Sequence, residues 1–290
     1  MDWEPFVRNI AISLLGAVVL GAVLVGWFVG TGRSVDAPDA WCRSHGLPSS
    51  SARLPLVRWY LRLTVTLRGI GGVAGVLLGT GFDRAFGVDT SGGYGFWAWV
   101  IAGWMLGAAW AERRIARPGE PGTATMVPRR LTDYLSTELL AAPAAVTLVL
   151  AVVALFGAFG TSTIDPSFER LGGGALLGAT LAAAGVALIA FAIQAGVVAR
   201  RQSVSTAELL AVDDAMRSST VHLVGAAATA ACFCILGAVL VGVVLPVRSL
   251  PFGMRGWVPL LPLAGILVTW RFWAYWPWRV RRSLGTVTSP

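Results

Sequence analysis

The chain has 290 residues, of which 56% are hydrophobic and only 13% are charged, and its mean hydropathy is +0.70. Soluble domains carry charge on about a quarter of their residues, so this composition excludes a soluble globular protein. The net charge of +8 comes from arginine, because the sequence contains no lysine. Basic loops beside anionic lipid explain such a charge, and we expect a lipid bilayer rather than a nucleic acid as the partner.

Seven apolar stretches are long enough to cross a bilayer, which takes about 20 residues for ~30 Å of hydrocarbon. The second is rich in glycine, and without it the count would be six. The sequence therefore predicts an all-α polytopic transmembrane helix bundle that forms a single domain over residues 1–290. In chain order the predicted spans are residues 10–29, 69–82 (extended at either end), 93–110, 139–160, 172–199, 220–246 and 257–276.

The distribution of arginine predicts how the chain is threaded. Eighteen of the 23 arginines fall on one set of alternating segments, when Arg271 at the inner end of the seventh span is included, and five fall on the other set. Arginine and lysine are enriched in cytoplasmic loops. We therefore predict that segments 30–68, 112–138 and 200–217 are cytoplasmic, as is the C-terminus, and that the N-terminus lies outside. The predicted location is the bacterial cytoplasmic membrane, which the chain would cross several times.

Two of the predicted spans contain glycine at every fourth position, so that the small residues lie on one helix face. Gly71, Gly75 and Gly79 form one such stripe, and Gly174 and Gly178 begin another. Small residues let the backbone of a second helix approach closely. The stripes are therefore predicted to be helix-packing surfaces, which would suit a transporter and a scaffold equally well.

Polar helices are predicted in two of the cytoplasmic segments. Asp213 and Arg217 are four residues apart and can pair on one helix face. Such helices could be docking surfaces for a partner ATPase, or they could be solvated helices that end a span. The candidate docking residues are Arg129, Arg130, Asp133, Tyr134, Asp213, Asp214 and Arg217.

Other polar residues of the spans give few signs of chemistry. Gln194 is expected to bond a neighbouring helix, and His222 is expected to be a packing residue rather than a proton relay. No predicted span carries a central Asp or Glu, which would mark ion-coupled transport. The motifs HExxH, Walker A and Gly-x-Ser-x-Gly are also missing from the sequence. The sequence thus predicts no enzyme, no catalytic residue, no metal site and no cofactor.

Two short strings resemble a known group of proteins. Arg129-Arg130-Leu-Thr-Asp133-Tyr134 and Asp213-Asp214-Ala-Met-Arg217-Ser-Ser are similar to strings in multispanning integral membrane proteins of actinomycetes that carry no assigned function. The resemblance implies a membrane helix bundle and brings no catalytic residue with it. We expect a non-enzymatic component of an export or envelope system, such as the permease-like partner of a separate ATPase. The alternative is a scaffold or regulatory protein that binds other membrane helices.

Overall fold

A computed structural model describes residues 38–47, 54–86, 94–115, 129–159, 173–200, 207–244 and 263–267. Across these ranges the protein is all-helical and has no strand. A short helix α1 (Pro38–Ser44) and a 3-10 turn (Leu131–Asp133) accompany five long helices. The long helices are α2 (Leu54–Phe86), α3 (Tyr94–Ile115), α4 (Thr137–Phe159), α5 (Gly173–Ala199) and α6 (Ala207–Val244). The first predicted span lies outside the described residues, as does the seventh apart from 263–267.

Four helices of the described chain are long and apolar enough to cross a membrane. These stretches are Leu54–Phe82, Thr137–Leu155, Gly174–Ala199 and Leu209–Leu240. Helix α3 is also of spanning length, with 22 residues, but it is not among the four. Its sequence contains several tryptophans, whose amphipathic rings favour the membrane interface over the hydrocarbon. The fold class is thus a helix bundle with membrane-spanning composition.

Helices α2 and α6 begin well before the predicted spans. The second span was predicted from residue 69 and the sixth from residue 220, whereas α2 begins at Leu54 and α6 at Ala207. The polar segments ahead of these spans continue as the same helix because one face of each is buried in the bundle. At 1.5 Å per residue, the 38 residues of α6 extend about 57 Å, nearly twice the hydrocarbon thickness.

Helix α6 lies at the centre of the bundle. It packs against α3, α4 and α5, and 67% of its candidate span is buried, compared with 17% in α4 and in α5. Consecutive helices run antiparallel. Helices α4 and α6 are in contact without being consecutive, and they run parallel. The N-terminal ends of α2, α4 and α6 therefore meet the C-terminal ends of α3 and α5. We call this the charged end of the bundle, because Glu112, Arg200, Asp213 and Arg217 lie there.

Helices α2 and α3 pack backbone against backbone. A methyl group added at Gly71 would lie 2.8 Å from the Cα atom of Gly107, and one added at Gly75 would lie 3.1 Å from the Cα atom of Gly103. A methyl group at Gly79 would collide with an indole ring of α3, with its nearest atom at 2.6 Å. The first glycine stripe therefore forms a contact within this chain, where no larger side chain fits.

The second glycine stripe has different surroundings. No described atom lies within 4 Å of a methyl group added at Gly174 or Gly178. The same part of α5 exposes Leu177, Leu181 and Leu188, whose exposed fractions are 59%, 63% and 69%. An exposed apolar face of this kind suits contact with lipid or with another membrane helix.

Candidate functional site at the charged end

A single arginine joins three helices at the charged end. Arg200 directly follows α5, and its Nη1 lies 2.8 Å from Oε2 of Glu112 in the last turn of α3. Its Nη2 pairs with Oδ1 of Asp213 in α6. The three side chains are between 7% and 13% exposed. Because the pairs are shielded from water, salt screens them far less than it screens surface ion pairs.

Arg217 completes this cluster one turn further along α6. Its Nε donates to Oδ2 of Asp213 at 2.8 Å, which confirms the predicted pair. Its Nη1 donates to the carbonyl oxygens of Val198 at 3.0 Å and Val197 at 3.3 Å. The last carbonyls of a helix have no partner within the helix, so Arg217 caps the C-terminal end of α5. Its side chain is fully buried.

The remaining oxygen of Glu112 connects the cluster to α2. Thr220 donates its hydroxyl to Oε1 of Glu112 at 2.7 Å. The hydroxyl of Tyr60 in α2 lies 3.0 Å from that of Thr220 and donates to the carbonyl oxygen of Met216 at 3.3 Å. We call Glu112, Arg200, Asp213 and Arg217 the charge network, and Tyr60 and Thr220 link it to α2.

A second group of contacts holds the segment before α4 against α6. Arg129 Nη1 lies 2.6 Å from Oδ1 of Asp214. The hydroxyl of Tyr134 donates to the same oxygen at 3.0 Å. Burial, and next the negative charge of Asp214, raise the pKa of the Tyr134 hydroxyl, so the phenol stays protonated as a donor. Residues 129–136 are therefore fastened to the first turns of α6.

The charge network contains two carboxylates and two guanidinium groups, and their formal charges cancel. Each carboxylate already accepts from an arginine, so neither is placed to act as a general base. Within the described ranges, no group of three His, Cys, Asp or Glu side chains is arranged to hold a metal ion. This arrangement therefore holds the helix ends together. The loss of one partner would leave a buried charge without a counterion.

The candidate docking residues occupy different environments within one region. Tyr134 and Arg217 are buried, Asp213 and Asp214 are partly buried, and Arg130 is exposed. The backbone N–H of Arg130 donates to Oδ2 of Asp133 at 2.7 Å, which closes the 3-10 turn. The two segments that were predicted as separate docking surfaces are thus parts of one surface, joined by the pair Arg129–Asp214.

Sequence reasoning missed four members of this region: Glu112, Arg200, Tyr60 and Thr220. Arg200 bonds to a partner 88 residues away, and Thr220 to one 108 residues away. Helical spacing reveals only partners three or four residues apart. The one available signal was that Glu112 and Arg200 are the first charged residues after two predicted spans.

Two intramembrane predictions concern single polar residues. Nε2 of Gln194 in α5 donates to the carbonyl oxygen of Val221 in α6 at 2.9 Å, which confirms the predicted bond to a neighbouring helix. The Nδ1 of His222 lies 2.7 Å from the carbonyl oxygen of Ser218, one turn earlier in the same helix, and its side chain is buried. Its position agrees with a packing role.

No protein-family model, curated protein or solved structure matches the chain.

Proposed function

We propose that this protein is a non-enzymatic membrane component of an export or envelope system, acting as the permease-like partner of a separate ATPase. One observation carries the proposal. The segments 129–136 and 207–217 form a single surface through the contacts of Asp214 with Arg129 and Tyr134. A surface of this kind can accept a soluble partner, and the charge network directly beneath it is tied to three membrane helices.

Exposed arginines supply the charge that an acidic partner surface would recognise. They lie on α2, on the last turn of α3 and before α4, and all are at the charged end. Opposite charge across an interface speeds association and selects the partner. The exposed residues are Arg58, Arg62, Arg113, Arg114 and Arg130.

The proposed orientation places the charged end in the cytoplasm, with the N-terminus outside and seven spans. Its support is the positive-inside rule applied to the arginine-rich segments. Membrane-impermeant maleimide tests this orientation in a background without native cysteine. A cysteine at position 130 should react only after the cells are permeabilised, whereas one at position 165 should react in intact cells. The reverse pattern would contradict the orientation.

Site-specific crosslinking tests the docking function. A photoreactive residue replaces Arg130 in one variant and Leu188, on the exposed apolar face of α5, in the control. We expect an ATP-hydrolysing subunit to crosslink at position 130 and not at position 188 in native membranes. Its ATP hydrolysis should change when it is reconstituted with this chain. Recovery of the chain alone under mild detergent would count against the proposal.

The alternative function is a scaffold that binds helices of another membrane protein. The observation in its favour is the open face of α5 around Gly174 and Gly178, where an added side chain meets no described atom. Gly178→Leu should then abolish recovery of the partner while the chain remains inserted and folded. If Gly178→Leu retains the partner and variants at the charged end lose it, the scaffold function is excluded.

A further inference from the structure

Arg68 in α2 differs from the other buried arginines of the described chain. It is only 8% exposed, and its Nε has no hydrogen-bond acceptor among the described residues. None of the ion pairs in this part of the protein includes Arg68, whereas Arg129, Arg200 and Arg217 each pair with a carboxylate. Burying an unpaired ion costs several kcal/mol even after the protein relaxes. An anion that compensates Arg68 is therefore expected.

The aromatic side chain that Arg68 contacts presents a second donor without an acceptor. The Cζ atom of Arg68 lies 5.1 Å from the ring centroid of Trp104 in α3. Trp104 is 9% exposed, and its Nε1 has no acceptor in the described ranges. A buried indole N–H normally finds a hydrogen-bond partner. A cation–π contact offsets only part of the cost of burying an unpaired charge.

We propose that Arg68 and Trp104 form a binding site for an oxyanion of the phosphate class, supplied by a lipid headgroup or by free phosphate. Arginine binds phosphate through two parallel N–H groups, and this fork explains its preference for such ligands. The indole N–H adds a third donor from the neighbouring helix. Binding needs no chemical step, and it is independent of the proposed docking to an ATPase.

The position of Arg68 on α2 suits this ligand. Tyr60, Thr64 and Arg68 are spaced by four residues and lie on one helix face, all of them buried. Arg68 is three residues before Gly71, on the side of the glycine stripe nearer the charged end. In the proposed orientation this end faces the cytoplasmic headgroups.

Described carboxylates close to this region are already committed to other arginines. Glu112 and Asp213 accept from Arg200, and Asp213 also accepts from Arg217. Moving Asp213 to Arg68 would leave Arg217 without a carboxylate, and moving Glu112 would remove one of the two carboxylates that pair with Arg200. An anionic ligand would compensate the charge of Arg68 and leave these ion pairs intact.

Ligand binding to the purified, delipidated full-length protein tests the site. Phosphatidylglycerol is titrated and followed by native mass spectrometry, and inorganic phosphate is titrated in a separate calorimetric experiment. We expect Arg68→Met to weaken binding at least tenfold. Trp104→Phe, which keeps the ring but loses the N–H, should weaken it several-fold. Arg62→Met is the matched control, since Arg62 is an exposed arginine on the same helix.

Thermal unfolding separates a ligand site from a structural role. Without ligand, Arg68→Met should unfold at the same or a higher temperature, because it removes a charge that no described residue compensates. At one fixed ligand concentration, the unfolding temperature of the unmodified protein and of Arg62→Met should rise more than that of Arg68→Met.

The pattern of binding identifies the source of the oxyanion. If the unmodified protein binds only the lipid, the site takes a headgroup, and if it binds only phosphate, the site takes a free anion. In both cases, loss of that binding in Arg68→Met supports the site. If the unmodified protein binds neither probe, or if Arg68→Met binds both as tightly, the proposal is overturned. Should Arg68→Met fail to fold, Trp104→Phe decides, and binding unchanged within twofold in that variant overturns the site.

Discussion

Asp213 and Asp214 are adjacent in the sequence, but their carboxylates pair with arginines from different parts of the chain. Asp213 turns inward to Arg200 and Arg217, whereas Asp214 accepts from Arg129 and from the hydroxyl of Tyr134. One turn of α6 therefore joins the buried charge network to the surface segment before α4. In the proposed function, a force applied to that segment would reach α6 through this pair of residues.

Removing the charge of Asp213 should lower the free energy of unfolding more than removing the charge of Asp214. Asp213→Asn leaves two buried guanidinium groups without their shared carboxylate, and breaking such a pair costs about 3–5 kcal/mol. Asp214→Asn affects a carboxylate that is 37% exposed, where an ion pair contributes about 1 kcal/mol or less. Chemical unfolding in detergent should show a larger loss of unfolding free energy for Asp213→Asn than for Asp214→Asn. Equal losses of unfolding free energy would contradict the distinction.

Removal of the Arg217 guanidinium should loosen the end of α5. Arg217→Met deletes the donor to the carbonyl oxygens of Val197 and Val198 and one partner of Asp213. We expect faster amide hydrogen exchange in the last turn of α5, with less change in α4. Arg130→Met, at an exposed position, serves as the control. Unchanged protection at this turn would show that Arg217 does not hold the helix end.

Larger side chains should lower the unfolding temperature in the first glycine stripe but not in the second. Gly71→Leu places a side chain where the backbone of α3 already lies, and overpacking of this kind costs about 1–3 kcal/mol or more. Gly178→Leu adds the same side chain at a position open to its surroundings. Thermal unfolding monitored by size-exclusion chromatography should show a lower midpoint for Gly71→Leu only. A comparable fall for Gly178→Leu would indicate that this face of α5 is covered.

Stability should fall at alkaline pH partly through Tyr134. Burial and the charge of Asp214 raise its pKa in the folded protein, above the value near ~10 of an unfolded tyrosine. The unfolded chain then releases the proton first, so this contribution is present below pH ~10 and is lost as the pH rises through the higher folded pKa. Unfolding temperatures measured from pH 8 upward should fall less steeply for Tyr134→Phe. Parallel curves would argue against this contribution.

Sequence patterns predicted the features of this fold that depend on local spacing. The all-helical class follows from the length of the apolar stretches, and the pair Asp213–Arg217 follows from a separation of four residues. The end of α5 at Ala199 coincides with the predicted end of the fifth span, where the chain turns polar. Such features depend on residues that are close to one another in the sequence, so they can be predicted from a single sequence.

The charge network was not predictable, because its partners are distant in the sequence. Glu112 and Arg200 each read as an isolated charge after a span, and nothing local indicates that they meet. The burial of Arg68 was also not predictable, because Arg68 lies in an arginine-rich segment that is predicted to be cytoplasmic throughout. Only the packing of α2 against α3 distinguishes Arg68 from the exposed Arg62 on the same helix.

The glycine contact between α2 and α3 also limits where a solute could cross the membrane. At Gly71 and Gly75 the two backbones meet with no space even for a methyl group. A hydrated ion or a polar molecule needs a lumen several ångströms wide, and this interface has none. A permeation pathway in this protein, or one shared with a partner, would therefore have to follow a different helix boundary.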